Sequence, residues 1–253
     1  MKQRLSVVIA AANDAEIIKD ALKSIVWADE IIVVLANLSH DKTKEISQGF
    51  TSKIYVTSNH LGKQRNLGII KATGDWILIL DTDERVSPHL KNEIVTILSK
   101  TQKYTAYKIP FKNYFLGHQL NWGNQRYQKI RLFKKNCAKI ENLATHPEIV
   151  ASGLVGELSS YIAHYSFRCL TQTIQKFTYY AHADVERLAK VETASWAKLI
   201  TYPLHMFYTL AITNEAWRDG VWGIMLAVCF AYYECARHFF LLKQSRIKEV
   251  RRV

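Results

Sequence analysis

The stretch Asp75-Trp76-Ile77-Leu78-Ile79-Leu80-Asp81-Thr82-Asp83-Glu84 decides the fold of this chain. Its five apolar residues, 76–80, have the length and composition of a strand that is buried on both faces. Three carboxylates follow within four positions. In open parallel sheets ligands bind beyond the carboxyl ends of the strands, so the acidic cluster lies where a site is expected.

Strands and helices alternate through the first hundred residues. The pattern predicts strands at residues 5–10, 31–35, 53–57 and 76–80, with helices between them. Asn13 and Glu16 have the spacing of a capping box, and Ser87-Pro88 supplies an N-cap and a proline at the first helical position. This alternation predicts a parallel sheet with helices on both faces.

The pattern changes after about residue 104. Short segments rich in Tyr, Asn, Gly and Trp predict loops and short antiparallel strands, and residues 170–248 are helical in character. The chain therefore divides into a predicted α/β domain, residues 1–165, and a predicted helical C-terminal region, residues 166–253.

The positive charge is concentrated in the second part of the chain. The net charge is +12, with 13 Lys and Arg against 12 Asp and Glu in residues 1–100, and 21 against 10 in residues 101–253. Such asymmetry suggests nucleic acid, an anionic membrane or a phosphorylated substrate, and the alternative is an ordinary solvated surface. No motif of a nucleic-acid-binding class is present, so a nucleic-acid partner is not predicted. Four scattered cysteines without a CxxC pair indicate a reducing compartment and no zinc site.

The C-terminal region has the composition of a membrane-surface element. Aromatic residues alternate with Lys and Arg from about residue 177 onward, which is typical of a helix lying on anionic lipid. The uncharged runs 199–214 and 220–233 are shorter than the roughly 18 residues that a spanning helix needs. We therefore expect a cytoplasmic protein that is peripheral on the inner face of the cytoplasmic membrane. A packing layer or a dimer interface is the alternative.

Asp81 and Asp83 have the chemistry of a divalent-metal site. Mg²⁺ and Mn²⁺ prefer oxygen ligands, often one or two carboxylates together with substrate phosphates. A metal at this position would stabilise a diphosphate leaving group. The alternative is that the pair caps the following helix or binds Arg85.

The ordered set of motifs resembles family 2 glycosyltransferases of the GT-A fold, and the second half resembles their lipopolysaccharide-core β-glucosyltransferase branch. The resemblance covers nearly the whole chain. It is carried by Ser6-Val7-Val8-Ile9, Asn13-Asp14, Ala28-Asp29-Glu30-Ile31-Ile32-Val33-Val34, Ser39-His40-Asp41-Lys42-Thr43, Gly62-Lys63-Gln64-Arg65-Asn66, Ala72-Thr73-Gly74-Asp75-Trp76, Asp81-Thr82-Asp83-Glu84-Arg85, Asn121-Trp122-Gly123, Arg131-Leu132-Phe133 and His146-Pro147-Glu148. It implies a GT-A fold, with a Rossmann-like, mostly parallel sheet and flanking helices, followed by the helical C-terminal region.

The resemblance also implies roles for individual residues. At the catalytic centre, Asp83 would hold the metal. Glu148 is the candidate general base, because inverting transfer needs a carboxylate that removes the proton of the acceptor hydroxyl, and the alternative is a surface Glu in a salt bridge. His146 would orient that base or touch phosphate, and the alternative is a structural role. The acceptor would meet Trp122 and Arg131. The donor would be bound by Ala10, Asn13, Asp14, Asn37, Lys63, Arg65 and Asp81, with Asp81 also close to the metal.

Two departures from the family pattern affect these expectations. Ala36 occupies the end of the second strand, where the family has an Asp that binds uracil, and Asn37 is the candidate substitute. Pro147 separates His146 from Glu148, where the branch has His directly before Glu. The expected function is inverting transfer of a sugar, glucose, from a UDP-sugar to a membrane glycolipid such as lipopolysaccharide core. The alternative is a catalytically degenerate relative that acts as a binding module, which Ala36 supports.

Overall fold

The computed structural model describes residues 3–141 and 147–250, except the side chains of residue 186 and residues 246–250. Two compact units are formed, one by Met1–Phe111 with Tyr127–His164 and the other by Lys112–Arg126 with Tyr165–Val253. In chain order, the elements are β1 (Leu5–Ala11), α1 (Ile18–Lys23), β2 (Glu30–Ala36), α2 (Thr43–Gln48), β3 (Ile54–Thr57), α3 (Leu61–Lys71), β4 (Trp76–Asp81), β5 (Glu84–Val86), α4 (Pro88–Leu98), β6 (Ala106–Phe115), β7 (His118–Leu120), β8 (Gln128–Lys134), β9 (Ala138–Ile140), β10 (Ile149–Ala151), β11 (Val155–Glu157), β12 (Ile162–Phe167), α5 (Leu170–Val191), α6 (Lys198–Tyr208), a π-helical turn (Thr209–Thr213), a 3₁₀ turn (Ala216–Asp219) and α7 (Gly220–Val250).

A parallel sheet in the order β3-β2-β1-β4 forms the core of the first unit. Every residue of β1 and β2 is buried, which explains their uninterrupted apolar sequences. Ala10 lies opposite both Val34 of β2 and Asp81 of β4. The register therefore brings the carboxyl ends of three strands to the same edge of the sheet.

Antiparallel strands extend this sheet beyond β4, in the order β8-β6-β12-β5. The predicted fold class, an α/β sheet followed by a helical C-terminal region, is confirmed. The predicted short antiparallel strands after residue 104 are present as well, although β6 is longer than expected, with ten residues.

The two predicted helix starts have different outcomes. Ser87 caps α4 through its Oγ, which accepts the Leu90 N–H at 3.2 Å, and Pro88 is the first helical residue, as predicted. The capping box at Asn13 is wrong. Asn13 has a left-handed backbone (φ 56°), and its Oδ1 accepts the His40 N–H at 2.9 Å. Asn13 therefore links two strand-end loops, and α1 begins only at Ile18.

The longest helix of the second unit exceeds the expectation from sequence. Residues 216–245 are long and apolar enough to cross a membrane, by length and composition alone. The uncharged runs understate this length because the helix continues through Glu234 and Arg237, whose side chains pair at 2.6 Å. About two-fifths of the most apolar window (39%) is buried within the protein.

Gly68 allows α3 to lie directly on the sheet. A Cβ at this position would lie 2.2 Å from Val8 Cγ1 and 3.3 Å from Val34 Cγ2. We expect Gly68→Ala to lower the free energy of unfolding by about 1–3 kcal/mol through overpacking. Urea denaturation followed by circular dichroism measures the effect.

Gly49→Ala is the matched control, because its Cβ would meet only Ile46 O at 3.4 Å and its φ is −70°. It should leave stability unchanged or raise it by up to about 1 kcal/mol. Equal unfolding midpoints for both variants would contradict the close approach of α3 to β1.

Candidate active site

A cluster of two carboxylates and two guanidinium groups forms the floor of the site. β4 ends at Asp81, and a two-residue turn leads into β5 at Glu84. Asp81 Oδ1 lies 2.5 Å from Arg65 Nη2, and Asp81 Oδ2 lies 2.9 Å from Arg131 Nη2. Arg131 also binds Glu84, whose other oxygen accepts the Asp81 N–H at 2.9 Å. Three elements, α3, β5 and β8, therefore hold the end of β4.

These contacts separate the pKa values of the two carboxylates. Burial opposes the charge of Asp81, but Arg65 and Arg131 outweigh it and hold its pKa well below the usual range. Burial raises the pKa of Glu84 to about 7, and the attraction of Arg131 offsets only part of that effect. Asp81 is thus the fixed negative charge of the cluster, and Glu84 titrates close to neutral pH.

Asp83 lies outside the arginine pair. Its side chain is 19% exposed, and its Oδ2 lies 3.6 Å from His164 Nε2. Tyr127 OH contacts the other ring nitrogen of His164 at 3.3 Å. Burial disfavours the charged imidazole, but hydrogen bonding to Asp83 outweighs it and raises the pKa of His164. Asp83 and His164 therefore form a contact beside the Asp81 cluster.

Arg65 connects the acidic cluster to Glu148. Its Nη1 donates to the carbonyl oxygen of Pro147 at 3.4 Å, while its Nη2 binds Asp81. Pro147 is buried, and the next residue, Glu148, is exposed. Two hydrogen bonds also hold the Glu148 backbone to Glu141. The Glu148 N–H donates to Glu141 Oε2 at 3.2 Å, and the Glu141 N–H donates to the Glu148 carbonyl oxygen at 3.1 Å. Arg65 thus contacts both the acidic cluster and the residue that precedes the candidate base. His146 lies outside the described residues.

Asn13 and Asp14 lie in a hydrogen-bonded network after β1. The Asp14 N–H binds Thr43 Oγ1 at 2.8 Å, and Thr43 Oγ1 in turn donates to Asp41 at 2.5 Å. The Asn13 N–H binds Ser39 Oγ at 3.1 Å. Burial raises the pKa of Asp14 to about 6, with a smaller contribution from the charge of Asp83. Asp14 also hydrogen-bonds Thr82, so the network reaches the turn that carries Asp83.

The remaining donor candidates follow the same strand ends. Ala10 is buried, 7% exposed, in the strand register opposite Asp81. Asn37 is exposed after β2, and its N–H binds the Thr57 carbonyl at 2.7 Å. Lys63 is exposed in the first turn of α3, where its N–H binds His60 Nδ1 at 3.3 Å. Their contacts with a donor stay predictions.

The two acceptor candidates have different surroundings. Arg131 is 5% exposed, and its guanidinium is occupied by Asp81 and Glu84. Trp122 belongs to the second unit, where the Arg218 and Arg126 guanidinium groups lie 4.5 and 5.1 Å from its ring centre. The backbone N–H of Trp122 donates to Asp219 Oδ2 at 2.8 Å. Acceptor contact of either residue stays a prediction.

The acidic turn fits a divalent metal that arrives with a diphosphate. Among the described residues no three His, Cys, Asp or Glu side chains are arranged to hold a metal by themselves. Both oxygens of Asp81 bind arginines, and metal binding by Asp83 stays a prediction. One carboxylate plus phosphate oxygens is an ordinary Mg²⁺ arrangement.

Three side chains of the site were not identified from sequence. Glu84 was noted only as a third carboxylate, and nothing in the sequence connected it to Arg131. His164 is a lone histidine without ligand spacing. Gln64 is buried, and its Nε2 donates to Ala11 O and Val34 O at 3.2 and 3.1 Å, which ties α3 to two strand ends. Its position inside the Gly62–Asn66 motif was the available signal.

Comparison with known proteins identifies the family. The family model described as glycosyl transferase family 2 matches residues 6–149. The chain belongs to this family. An uncharacterized glycosyltransferase of Rickettsia typhi is 26% identical over 91% of this chain and 84% of its own length. The lipopolysaccharide core biosynthesis glycosyltransferase LpsC of Rhizobium meliloti is 22% identical over 92% and 89%. The crystal structure of S. aureus TarS 1-349 superposes with a TM-score of 0.48 and 12% identity over 97% of this chain and 92% of that one.

The raised pKa of Asp14 predicts a stability change in this family 2 glycosyltransferase. Between the unfolded pKa of 3.8 and the folded value of about 6, the folded protein binds more protons than the unfolded chain. Asp14 therefore lowers stability increasingly as pH rises through this window. Asp14→Asn should exceed wild-type stability by about 1–2 kcal/mol at pH 7 and match it below about pH 4. Urea denaturation at several pH values measures this difference.

Asp41→Asn is the control with the opposite sign. Burial opposes the charge of Asp41, but the hydrogen bonds from Thr43 and Ala15 together outweigh it and lower the pKa of Asp41. Its stabilisation is present above pH 3.8 and lost as pH falls. Asp41→Asn should therefore be the less stable protein at pH 7. A pH-independent difference between Asp14→Asn and wild type would refute the account of Asp14.

Proposed function

We propose that this family 2 glycosyltransferase moves glucose from UDP-glucose to a membrane glycolipid such as lipopolysaccharide core, with inversion at the anomeric carbon. The observation that carries the proposal is the joint attachment of Asp81 and Pro147 to Arg65. This arginine connects a metal-type acidic turn with a carboxylate that can serve as a base. The similarity to a lipopolysaccharide core enzyme supports the choice of acceptor.

The donor would bind along the carboxyl edge of β1, β2 and β4. Asp14 and Asn13 would line the nucleoside, Asn37 would read the base beside Ala36, and Lys63 would approach the diphosphate. Mg²⁺ or Mn²⁺ would neutralise the diphosphate and stabilise it as a leaving group. Asp83 would hold that ion, while Asp81, fixed by two arginines, would face the ribose or sugar. Lys and Arg side chains suit the phosphates of such a ligand, and carboxylates suit its hydroxyl groups.

Glu148 would act as the general base. Its carboxylate would take the proton of an acceptor hydroxyl while that oxygen forms a bond to the anomeric carbon. The bond from that carbon to the diphosphate oxygen breaks, and the nucleoside diphosphate leaves with the electron pair. Because Glu148 is exposed, an acceptor hydroxyl has access to it. We assign Arg131 a positioning role, since its guanidinium is already shared by Asp81 and Glu84.

The acceptor would be embedded in a membrane, and the enzyme would work at the anionic inner face of the cytoplasmic membrane. The excess of Lys and Arg in residues 101–253, 21 against 10 acidic residues, supports this location. Docking at the surface confines the search for a lipid-linked acceptor to two dimensions. Each basic residue close to such a surface contributes about 1 kcal/mol.

Asp83→Asn tests the metal site. The amide keeps the shape of the side chain but loses the charge that a divalent cation requires. We expect kcat/KM with Mn²⁺ to fall by at least about 100-fold, because the developing charge on the diphosphate is no longer neutralised in place. Radiolabelled transfer from UDP-glucose to extracted lipopolysaccharide core measures the change.

Asp20→Asn is the matched control, since Asp20 is exposed and its nearest cation, Arg85, lies 3.9 Å away. It should transfer at the wild-type rate. Full activity of Asp83→Asn would rule out Asp83 as the metal ligand. If the wild-type protein binds the donor but transfers sugar to none of the acceptors tested, the result would favour a binding module instead.

Glu148→Gln tests the base. The substitution keeps size and removes basicity, so turnover should fall by about 10²–10⁴-fold while donor affinity stays unchanged. Single-turnover kinetics and calorimetric donor titration separate the two effects.

Glu157→Gln is the control, because Glu157 is an exposed carboxylate paired with Lys108 at 3.6 Å. If Glu148→Gln retains most of its turnover while Glu157→Gln behaves as wild type, another group removes the proton. A loss of donor affinity in Glu148→Gln would assign this residue to binding.

A further inference from the structure

Helix α6 has an unusual surface for a helix in contact with water. Its sequence is Lys-Leu-Ile-Thr-Tyr-Pro-Leu-His-Met-Phe-Tyr, and none of its eleven residues is buried. From residue 193 to residue 214 the chain has a single charged side chain, Lys198. An exposed helix normally presents charged and polar residues on its outer face. This segment presents large apolar side chains there.

The exposed side chains form one stripe. Trp196, Ile200, Leu204, Tyr208 and Ile212 are exposed by 62, 66, 64, 60 and 51%, and they recur at every fourth position. Residues four apart lie on the same side of a helix. At about 3.6 residues per turn each four-residue step advances about 40°, so the stripe winds about 120° around the helix from Trp196 to Tyr208. The wider π-helical turn at Thr209–Thr213 then partly reverses this winding. We call these five residues the outer stripe.

The opposite side of the same segment is apolar as well. Leu210 and Ala211 are buried together with Ala227 of α7, and Met206 and Phe207 pack against that cluster. The segment is therefore apolar on the side that packs against α7 and also on the side that carries the exposed stripe. A helix of this kind is found in a protein core or in contact with lipid.

Helix α7 has a different character, even though it has the length of a spanning helix. Its central turns bury Glu234 and His238, which are 5% and 1% exposed, beside Arg237. Tyr233 also hydrogen-bonds Asp184 of α5. Moving α7 into hydrocarbon would break this polar cluster and expose it to lipid, at a high cost in free energy. The outer stripe needs no such rearrangement.

The ends of the outer stripe carry the residues that favour a membrane interface. Trp196 begins it, and exposed Trp217 follows it, 53% exposed. Exposed cations flank the segment on both sides, with Arg187 and Lys190 before it and Arg218 after it. Indole rings favour the headgroup level, and cations favour anionic lipid. Residues 193–214 contain no acidic residue, although Arg187 and Arg218 each pair with a neighbouring carboxylate, at 3.3 Å from Asp184 and 3.0 Å from Glu215.

We infer that α6 and its π-helical continuation lie in the plane of an anionic bilayer, with the outer stripe inserted among the lipids and α7 retained in the protein. This inference rests on the proposed function insofar as a membrane acceptor makes the docking useful. The occupant of the stripe is a lipid surface rather than a second copy of the chain. The apolar insertion supplies affinity that salt does not remove, and the cations supply the part that salt weakens.

The test is flotation of the full chain with vesicles of phosphatidylglycerol and phosphatidylcholine, at low salt and in 1 M salt. Wild type should float at low salt and be partly released in high salt. Ile200→Glu combined with Leu204→Glu should raise the lipid concentration for half-binding by at least about tenfold, because two inserted side chains are lost.

Val26→Glu combined with Ile70→Glu is the matched control. These residues are exposed by 62 and 71% and belong to the first unit. The control adds the same two negative charges, so the net charge of the two double variants is equal and only the position of the charges differs. It should float close to wild type. Both double variants should melt within about 2 °C of wild type, since exposed substitutions rarely affect stability.

Four results would overturn the inference. The first is that wild type stays at the bottom of a low-salt gradient, and the second is that both double variants lose lipid binding equally. The third is that wild type is a dimer in sedimentation velocity and that Ile200→Glu with Leu204→Glu makes it monomeric. The fourth is that wild type resists extraction from the membrane by carbonate, as a spanning protein does. Calorimetric UDP binding is measured on the same proteins. If wild type does not bind UDP, the proposed transferase function is contradicted, whereas the flotation result still decides whether α6 binds lipid.

Discussion

The shared carboxylate of Asp81 is the interaction on which the rest of the site depends. It ends the central strand β4, and its two oxygens bind Arg65 of α3 and Arg131 of β8. Removing one member of such a buried pair costs about 3–5 kcal/mol, because the remaining charge is left without a partner. Both arginines are nine-tenths or more buried, so the constraint applies to each of them. One carboxylate thereby fixes a helix, an antiparallel strand and, through Pro147, the segment that carries Glu148.

The same arginine contacts give the neighbouring acidic residues different charge states and different surroundings. The two arginines hold the pKa of Asp81 well below its usual range, whereas burial raises the pKa of Glu84 to about 7. Asp83 lies 3.6 Å from His164, and we propose it as the ligand of a cation that comes with substrate. The two aspartates of one short motif thus have different neighbours and different proposed tasks. In the proposed complex the donor would present both hydroxyls and a diphosphate to this edge of the sheet, so the different neighbours of the two aspartates suit the proposed function.

The sequence predicted the parallel strands and the acidic turn at the end of β4, because both depend on local patterns. Uninterrupted apolar runs identify β1, β2 and β4, and the acidic turn follows at the strand end where topology places ligands. It could not predict the arginine partners of Asp81, since Arg65 and Arg131 lie 16 and 50 positions away and meet it only in the folded sheet. Asn13 was misassigned as a helix cap for a related reason: its side chain binds a backbone group 27 positions away, which outweighed the local capping pattern. The continuous length of α7 was missed because Glu234 and Arg237 interrupt an apolar run in sequence but pair with one another in the helix.

The central claim is that the carboxyl end of β4 receives a diphosphate together with a divalent cation. Calorimetric titration of the wild-type protein with UDP, in Mn²⁺ and again in EDTA, tests it most directly. The account predicts an affinity for UDP that is at least about tenfold higher with the metal, since Asp83 and the diphosphate share one cation. Equal affinity in Mn²⁺ and in EDTA would contradict it.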